Sequence, residues 1–584
     1  MVVLDQARLT RPGAAVVKGK ALLVVAVLAL AAVPTARAAT ITKHRATATF
    51  LAYPKVASWL SRYPKKGRVV DTTHEPQQHL WNVNVWWKDA GEIATGKVGE
   101  DGTVLEAWTG PQVAWSMARG GSGLFGGKTI NSNPVWFGFA AVFLLGLVDW
   151  RRPLRMRNLD LLVLLSFSAS LWFFRDGDIF TSVPLAYPPL VYLLGRTVWI
   201  ARRDRPSSGR PLWPAWLLAA VAVFLLGFRI GLDVSSSQVV DVGYSGVVGA
   251  QRIWSGQAPY GHFPVSDTTL KPCGPADANG DIEDRIQTNG RCETANPSGD
   301  TYGPVAYLSY LPAFWVFGWN GKNAHLPAAK ATAILFDVLC LLGLVLVGRR
   351  YGGNRLAATL AFAWTAYPFT QYVMNSNTND AVAPAFLIWG FWLAGTPWAR
   401  GAFCALGGWT KFFSLPLIPL WLSYDARWRR QLYFLAGFAA ATLAAFSILL
   451  LEPNPVHAGR VFWDRTLGWQ LDRPSPFSLW DWGQYHAAGI PDLAIERRVL
   501  EVLLIIGALA VYFVPRRKSP LQLAALSAAV ILGVQLVMTH WFYFYIPWFY
   551  PFVAFALLAV RPPPRPPEPA PIHEHEPRAL VAAG

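Results

Sequence analysis

The residues able to do chemistry are few, and they stand between apolar runs. Asp233 and Asp241 lie in "GLDVSSSQVVDVGYSGVVGAQRIWSGQAPY", Gly231 to Tyr260, directly after the apolar run Leu212 to Ile230. Asp380 closes the polar turn "NSNTND", Asn375 to Asp380, between two further apolar segments. Lys411 sits inside "ALGGWTKFFSLPLIPLWL", a stretch without an acid. Arg460, Arg465 and Arg473 punctuate Glu452 to Ile490, and His540 opens the aromatic run "MTHWFYFYIPWFYP". A carboxylate can take the proton of a hydroxyl. Lysine offers a phosphate a point charge, and arginine a planar, two-pronged fork. Ionisable groups inside or beside membrane-length apolar runs are costly, so each needs a reason to be there.

Each residue also has a plainer reading. Val239, Val240, Tyr244, Val247, Val248 and Ile253 have rough helical spacing. That spacing predicts an amphipathic helix lying on the outer membrane face, with Asp241 at its start. A carboxylate there also serves as a cap or offsets the helix dipole. Asp233 is still more easily a helix-end residue, and Asp380 a cap. Lys411 can snorkel. Trp480 and Trp482 in "SPFSLWDW" can stack on a sugar face or belong to an interfacial belt. The belt explains the aromatics around His540 better than it explains the histidine.

The elements that must hold these residues are membrane spans. Apolar residues make up 53% of the 584 and charged residues only 15%, too greasy for a soluble chain of this size. The net charge of +17 does not signal nucleic acid. Its basic residues fall in short clusters between apolar runs, as the positive-inside rule requires. Clusters at 151–157 ("RRPLRMR"), 202–210 ("RRDRPSSGR"), 349–355, 397–400, 427–430 and 516–518 mark inside loops. Spans then fall near 135–149, 159–174, 183–201, 212–230, 327–348, 356–374, 381–395, 431–451, 494–514, 519–538 and 541–560. Tyr302 to Trp319 and Gly401 to Leu422 break the alternation if each crosses once. Pro304, Pro312, Pro416 and Pro419 interrupt them, so both read as hairpins of half-helices or interfacial segments, and as candidate cavity walls.

Residues 1–39 read as a signal peptide or signal anchor, with the apolar run Ala21 to Val33 after four basic residues. Residues 40–133 read as a small exported α+β module. Helical spacing covers Thr47 to Tyr63, and alternating strands flank Gly-Glu-Asp-Gly at 99–102. His74, Glu75 and His79 are better read as loop polarity than as a ligand cluster. Gly120 to Gly127 then reads as a flexible link. Accessory spans occupy 134–211, and a Pro-rich cytoplasmic tail 561–584. The other exported parts are 231–302, a short turn at 375–380, and 452–493. Cys273 and Cys292 lie in an exported loop, where a disulfide is allowed. Cys340 and Cys404 read as core residues. No Cys/His spacing suits a metal, and His573-Glu574-His575 reads as solvated tail.

From 212 to 560 this order of parts resembles a C-type (GT-C) membrane glycosyltransferase. An acidic residue follows an early span, then come "TYGPVAYLSYLP" at 301–312, "NSNTND", and "TKFFSLPLIPL" at 410–420. The layout is similar to polyprenol-phosphate-mannose-dependent mannosyltransferases of actinobacterial type. The resemblance implies a GT-C-like α-helical fold of about eleven to thirteen spans. It implies a polyprenyl-phosphate sugar donor, mannose among the candidate sugars, and a glycan or glycolipid acceptor. The site would face outward from the cell membrane. It matches Asp241 to the general base, Asp380 to the second acid near the reaction centre, and Lys411 to the basic group near the donor phosphate. Arg473, His540, Tyr244, Tyr302 and Trp480 complete the candidate substrate contacts. A divalent ion at Asp380 stays open, with one carboxylate a thin site. The chain departs from the family in residues 40–133, which weakly resemble a PepSY-like module, and in the loop bearing Cys273 and Cys292. A transporter or an inactive scaffold is the competing reading. No clear internal repeat favours a transporter.

Overall fold

The computed structural model describes residues 40–559 except 122, 124, 207–211, 265–269, 277–281, 283, 288–289, 295, 297 and 322–325. The expected leader, the Pro-rich tail and His573 to His575 lie outside the described residues. The chain divides into two compact units, one ending at Val113 and one beginning at Ala114.

The first unit is a helix-on-sheet layer. Thr42 caps the helix Lys43–Ala52 by accepting from the Arg45 N–H, and Pro54 starts a second helix, Pro54–Leu60. The sheet is antiparallel in the order β1 (Arg68–Glu75), β2 (Leu80–Trp87), β3 (Gly91–Gly99), β4 (Val104–Thr109). Val83, Val85, Ala94 and Val98 are buried with Phe50, Val56 and Trp59 of the helices. The hairpin at 99–102 forms as expected: Asp101 accepts from the Thr103 N–H at 2.9 Å and closes the turn. His74 and His79 both bond to Glu100, while Glu75 accepts from Asn82. The acid of that cluster is therefore Glu100, brought in by the β2–β3 pairing.

The first unit ends at Val113, within the module expected over 40–133. The flexible link expected at Gly120 to Gly127 lies inside the second unit. Large rings before and within it pack there: Trp115 lies 5.5 Å from Phe477, and Phe125 4.9 Å from Phe542. Burying such rings outweighs the freedom that the glycines add.

The second unit is helical. Among the described residues, five helices are long and apolar enough to cross a membrane: Met156–Arg175, Ala215–Ser236, Pro327–Ala366, Trp428–Leu451 and Pro520–Val537. The other expected spans fall on shorter or less apolar helices, among them Asn133–Leu147, Ile179–Arg203 and Val382–Trp392. The helix Pro327–Ala366 reverses at Gly353, where φ is 71°. A Cβ on Gly348 would lie 2.4 Å from the Cα of Ala357. Residues nine apart in a straight helix are far too distant for that approach. The two spans expected at 327–348 and 356–374 thus form a hairpin.

Both interrupted segments are broken, as the prolines require. The first forms Pro304–Leu308 and Leu311–Phe317. The second runs as Pro397–Gly408, a break through Lys411, a tight turn over Phe412–Leu417, and Ile418–Leu422. Arg400, expected in an inside loop, is instead fully buried and donates to the carbonyls of Trp421 and Ala394. The turn 375–380, expected to be exported, is buried in protein: Asn375 to Asp380 are each at most 1% exposed. The Asn377 amide donates to the Ser237 hydroxyl and the Gln238 carbonyl, whereas neither side-chain polar atom of Asn379 has a partner among the described residues.

One buried ion pair ties two of the apolar helices. Arg229 donates to Asp337 at 2.7 Å and to the Trp364 carbonyl, and the Trp364 indole also donates to Asp337. Removing the acid would leave an uncompensated guanidinium between helices. Asp337→Ala is therefore expected to cost about 3–5 kcal/mol, read as a lower melting temperature in detergent. An unchanged melting temperature would show that the pair holds nothing together.

Candidate functional site

Close backbone packing brings the site residues together. The helix Asp241–Trp254 carries Gly243, Gly246 and Gly249 along one face. A Cβ at Gly243 would stand 2.2 Å from the Asn377 carbonyl oxygen. At Gly246 and Gly249 it would stand 2.3 and 2.1 Å from the rings of Tyr310 and Tyr307. The stripe lets this helix settle against the 375–380 turn and the first broken segment. The Val240 N–H donates to the Ser376 carbonyl, which fixes the start of the helix beside Asp380. This corrects the expectation of a helix lying on the membrane face, because Gly243 to Gln251 are buried by protein. The second broken segment joins through Gly303, where a Cβ would stand 2.0 Å from the Trp409 carbonyl oxygen. That contact sets Tyr302 beside Lys411.

The result is a cavity of about 950 Å³, large enough for a substantial small-molecule ligand. Asp241, Tyr302, Asp380, Lys411, Arg473 and His540 all line it. Apolar residues supply much of the remaining wall, including Phe412, Phe413, Pro416, Leu467, Val534 and Val537. Tyr244 and Trp480, also expected at the site, lie elsewhere. Tyr244 is buried against Trp319 and is not part of the cavity lining. Trp480 donates to the Leu536 carbonyl at 2.7 Å and packs on Tyr187. Asp233 is fully buried in the helix Ala215–Ser236 and does not reach the cavity lining. Cys273 and Cys292 are disulfide-bonded in the loop that carries the small pair Asp284–Ile286 and Cys292–Thr294. Cys340 and Cys404 are free and buried.

Asp380 and Asp241 differ in reach. Asp380 is 1% exposed, and its Oδ1 accepts from Lys411 at 2.5 Å and from the Trp548 indole at 3.0 Å. Lys411 also stands over three rings, those of Tyr302, Trp548 and Tyr545, at 5.3 to 5.6 Å. Lysine and acid thus form a closed, ring-walled pair. Asp241 is the first residue of its helix and opens onto the cavity. Protein closes around its other sides. That burial raises its pKa above the ordinary carboxylate value, against the pull of the Val242 N–H, Arg473 and Lys411. His540 shares its Nδ1 with the Ser475 hydroxyl at 2.9 Å. Burial, with Arg473 and Lys411 nearby, lowers its pKa well below the ordinary value, so the ring is neutral at pH 7.

The donor set does not suit a divalent ion. Among the described residues, no group of three or more His, Cys, Asp or Glu is placed to hold a metal. A cation at Asp380 would also face the Lys411 ammonium.

Trp115, Tyr545 and Trp548 are among the cavity residues that the sequence did not point to. Trp115 falls in the segment read as part of the exported module. Tyr545 and Trp548 fall in the run read as an interfacial belt, and an apolar ring at a membrane depth looks the same in either role. Comparison with protein-family models, with curated proteins and with solved structures finds no match to this chain.

Proposed function

We propose that the second unit is a C-type membrane glycosyltransferase. It moves a sugar, with mannose the first candidate, from a polyprenyl-phosphate donor to a glycan or glycolipid acceptor. The chain crosses the cell membrane several times, and the cavity faces outward. The observation that carries this reading is a single cavity in which Asp241, a carboxylate with no ion pair to a described residue, meets cationic groups and a broad apolar wall. An apolar wall suits an isoprenyl chain, and cations suit its phosphate. A carboxylate suits an acceptor hydroxyl.

In this reading Asp241 takes the proton of the acceptor hydroxyl as its oxygen bonds to the anomeric carbon. The bond from that carbon to the phosphate oxygen breaks, and its electron pair leaves with the phosphate. Cationic side chains offset the charge that develops there. A single displacement inverts the anomeric centre. Asp380 does not touch the substrate and acts through Lys411 and Trp548.

Isolated membranes carrying the protein test this directly. Offered a panel of polyprenyl-phosphate sugars, they are expected to consume one and release polyprenyl phosphate. Intact, folded protein that turns over none of the panel with cell-envelope glycan present would overturn the reading.

A further inference from the structure

Lys411 and Arg473 are not equivalent cations. Lys411 is committed to Asp380 at 2.5 Å and is boxed by three rings. Arg497, at the cavity rim, pairs with Glu501 at 3.5 Å. Arg473 forms no ion pair with a described residue, and its buried Nε has no hydrogen-bond partner. It is not loose. Its guanidinium stands over the Trp469 ring at 4.6 Å and the Trp115 ring at 5.1 Å. Stacking on indoles stiffens a guanidinium without using its N–H donors. The resulting group is fixed, charged and rich in free donors, in a cavity otherwise lined largely by apolar side chains. A buried donor without a partner is costly unless something else satisfies it.

We infer that Arg473, held by Trp115 and Trp469, is the anion anchor of the cavity and binds a phosphate monoester or diester carried on an apolar chain. Lys411 is then the counter-ion that positions Asp380, not a second phosphate ligand. This deepens the proposed function and rests on it for the nature of the apolar chain. The planar fork can meet two phosphate oxygens at once, which an ammonium cannot. The apolar wall at Phe412, Phe413, Leu467 and Val534 covers the chain.

The test is binding, measured on the full-length protein in detergent with farnesyl phosphate as probe and farnesol as the uncharged control. The native protein is expected to prefer the phosphate. Arg473→Gln is expected to weaken farnesyl phosphate by about ten- to a hundredfold, with farnesol unchanged. Arg473→Lys should recover part of the loss, and Trp469→Leu should weaken the phosphate alone. Lys411→Gln should leave farnesyl phosphate within about threefold of native, less than one charged hydrogen bond is worth. Inorganic phosphate that competes as well as farnesyl phosphate would keep the anchor and remove the chain. Equal binding of phosphate and alcohol by the native protein, or an Arg473→Gln variant that binds like native, would overturn the inference. Phosphate-dependent binding without any sugar transfer would leave the anchor standing and remove the proposed reaction.

Discussion

Asp241→Asn is expected to abolish turnover and leave the fold intact or slightly firmer. Of the three carboxylates on the cavity, Asp380 is spent on Lys411 and Trp548 and Glu501 pairs with Arg497, which leaves Asp241, exposed and without an ion pair to a described residue. Asparagine keeps the shape but cannot take a proton. The loss of general-base help is expected to be roughly 10²–10⁴-fold. The stability sign follows from the raised pKa. A carboxyl whose pKa is higher in the folded chain binds its proton more tightly there. Its contribution to stability is full below the unfolded pKa and is lost as pH rises through the folded one. At neutral pH the ionised group is therefore a cost, and the amide removes it. The same shift places the acid limb of the activity profile above that of an ordinary aspartate, with activity falling as pH falls. Melting temperature and turnover measured on one preparation separate these effects. A variant that transfers sugar at the native rate would remove Asp241 from the chemistry.

Gly243→Ala is expected to damage the site more than the fold. The added methyl would start 2.2 Å from a backbone oxygen of Asn377, which has no flexible end to swing aside. The helix must move away from the turn, and Asp241 moves with it. Overpacking of this kind costs about 1–3 kcal/mol. A displacement of about 1 Å at a reacting group can cost on the order of a hundredfold in rate. Gly231→Ala is the control, because a Cβ there meets nothing within 4 Å and the residue lies in a helix. It is expected to keep full turnover and melt no lower than native. If both variants behave alike, close approach at Gly243 does not hold the site together.

Much of the candidate site was legible because charge inside apolar sequence is rare and costly. Asp241, Asp380, Lys411, Arg473, His540 and Tyr302 all reach one cavity. The misplaced residues share one cause. Tyr244 and Trp480 are aromatic, and an aromatic ring packs equally well on a ligand, a lipid or a neighbouring helix. In the structure both pack on protein. The same ambiguity hid Trp548 and Tyr545 in a run that looked like a belt. Arg400 looked like a loop charge, because a local pattern does not show that carbonyls of Trp421 and Ala394 will be waiting.

The sequence by itself determined what is local. Turn chemistry at 99–102 set the β3–β4 hairpin, prolines broke the 302–319 and 401–422 segments, and apolar length set, among the described residues, five helices that can cross a membrane. Tertiary structure decided what covers each apolar face. Helical spacing shows that one side of Asp241–Trp254 avoids water, but lipid and protein satisfy it equally. The glycine stripe chose protein, by admitting the Asn377 backbone and two tyrosine rings where any side chain would have kept them out. That approach, together with the Lys411–Asp380 contact 31 residues apart in sequence and the Arg497–Glu501 pair, leaves Asp241 as the cavity carboxylate without an ion pair to a described residue.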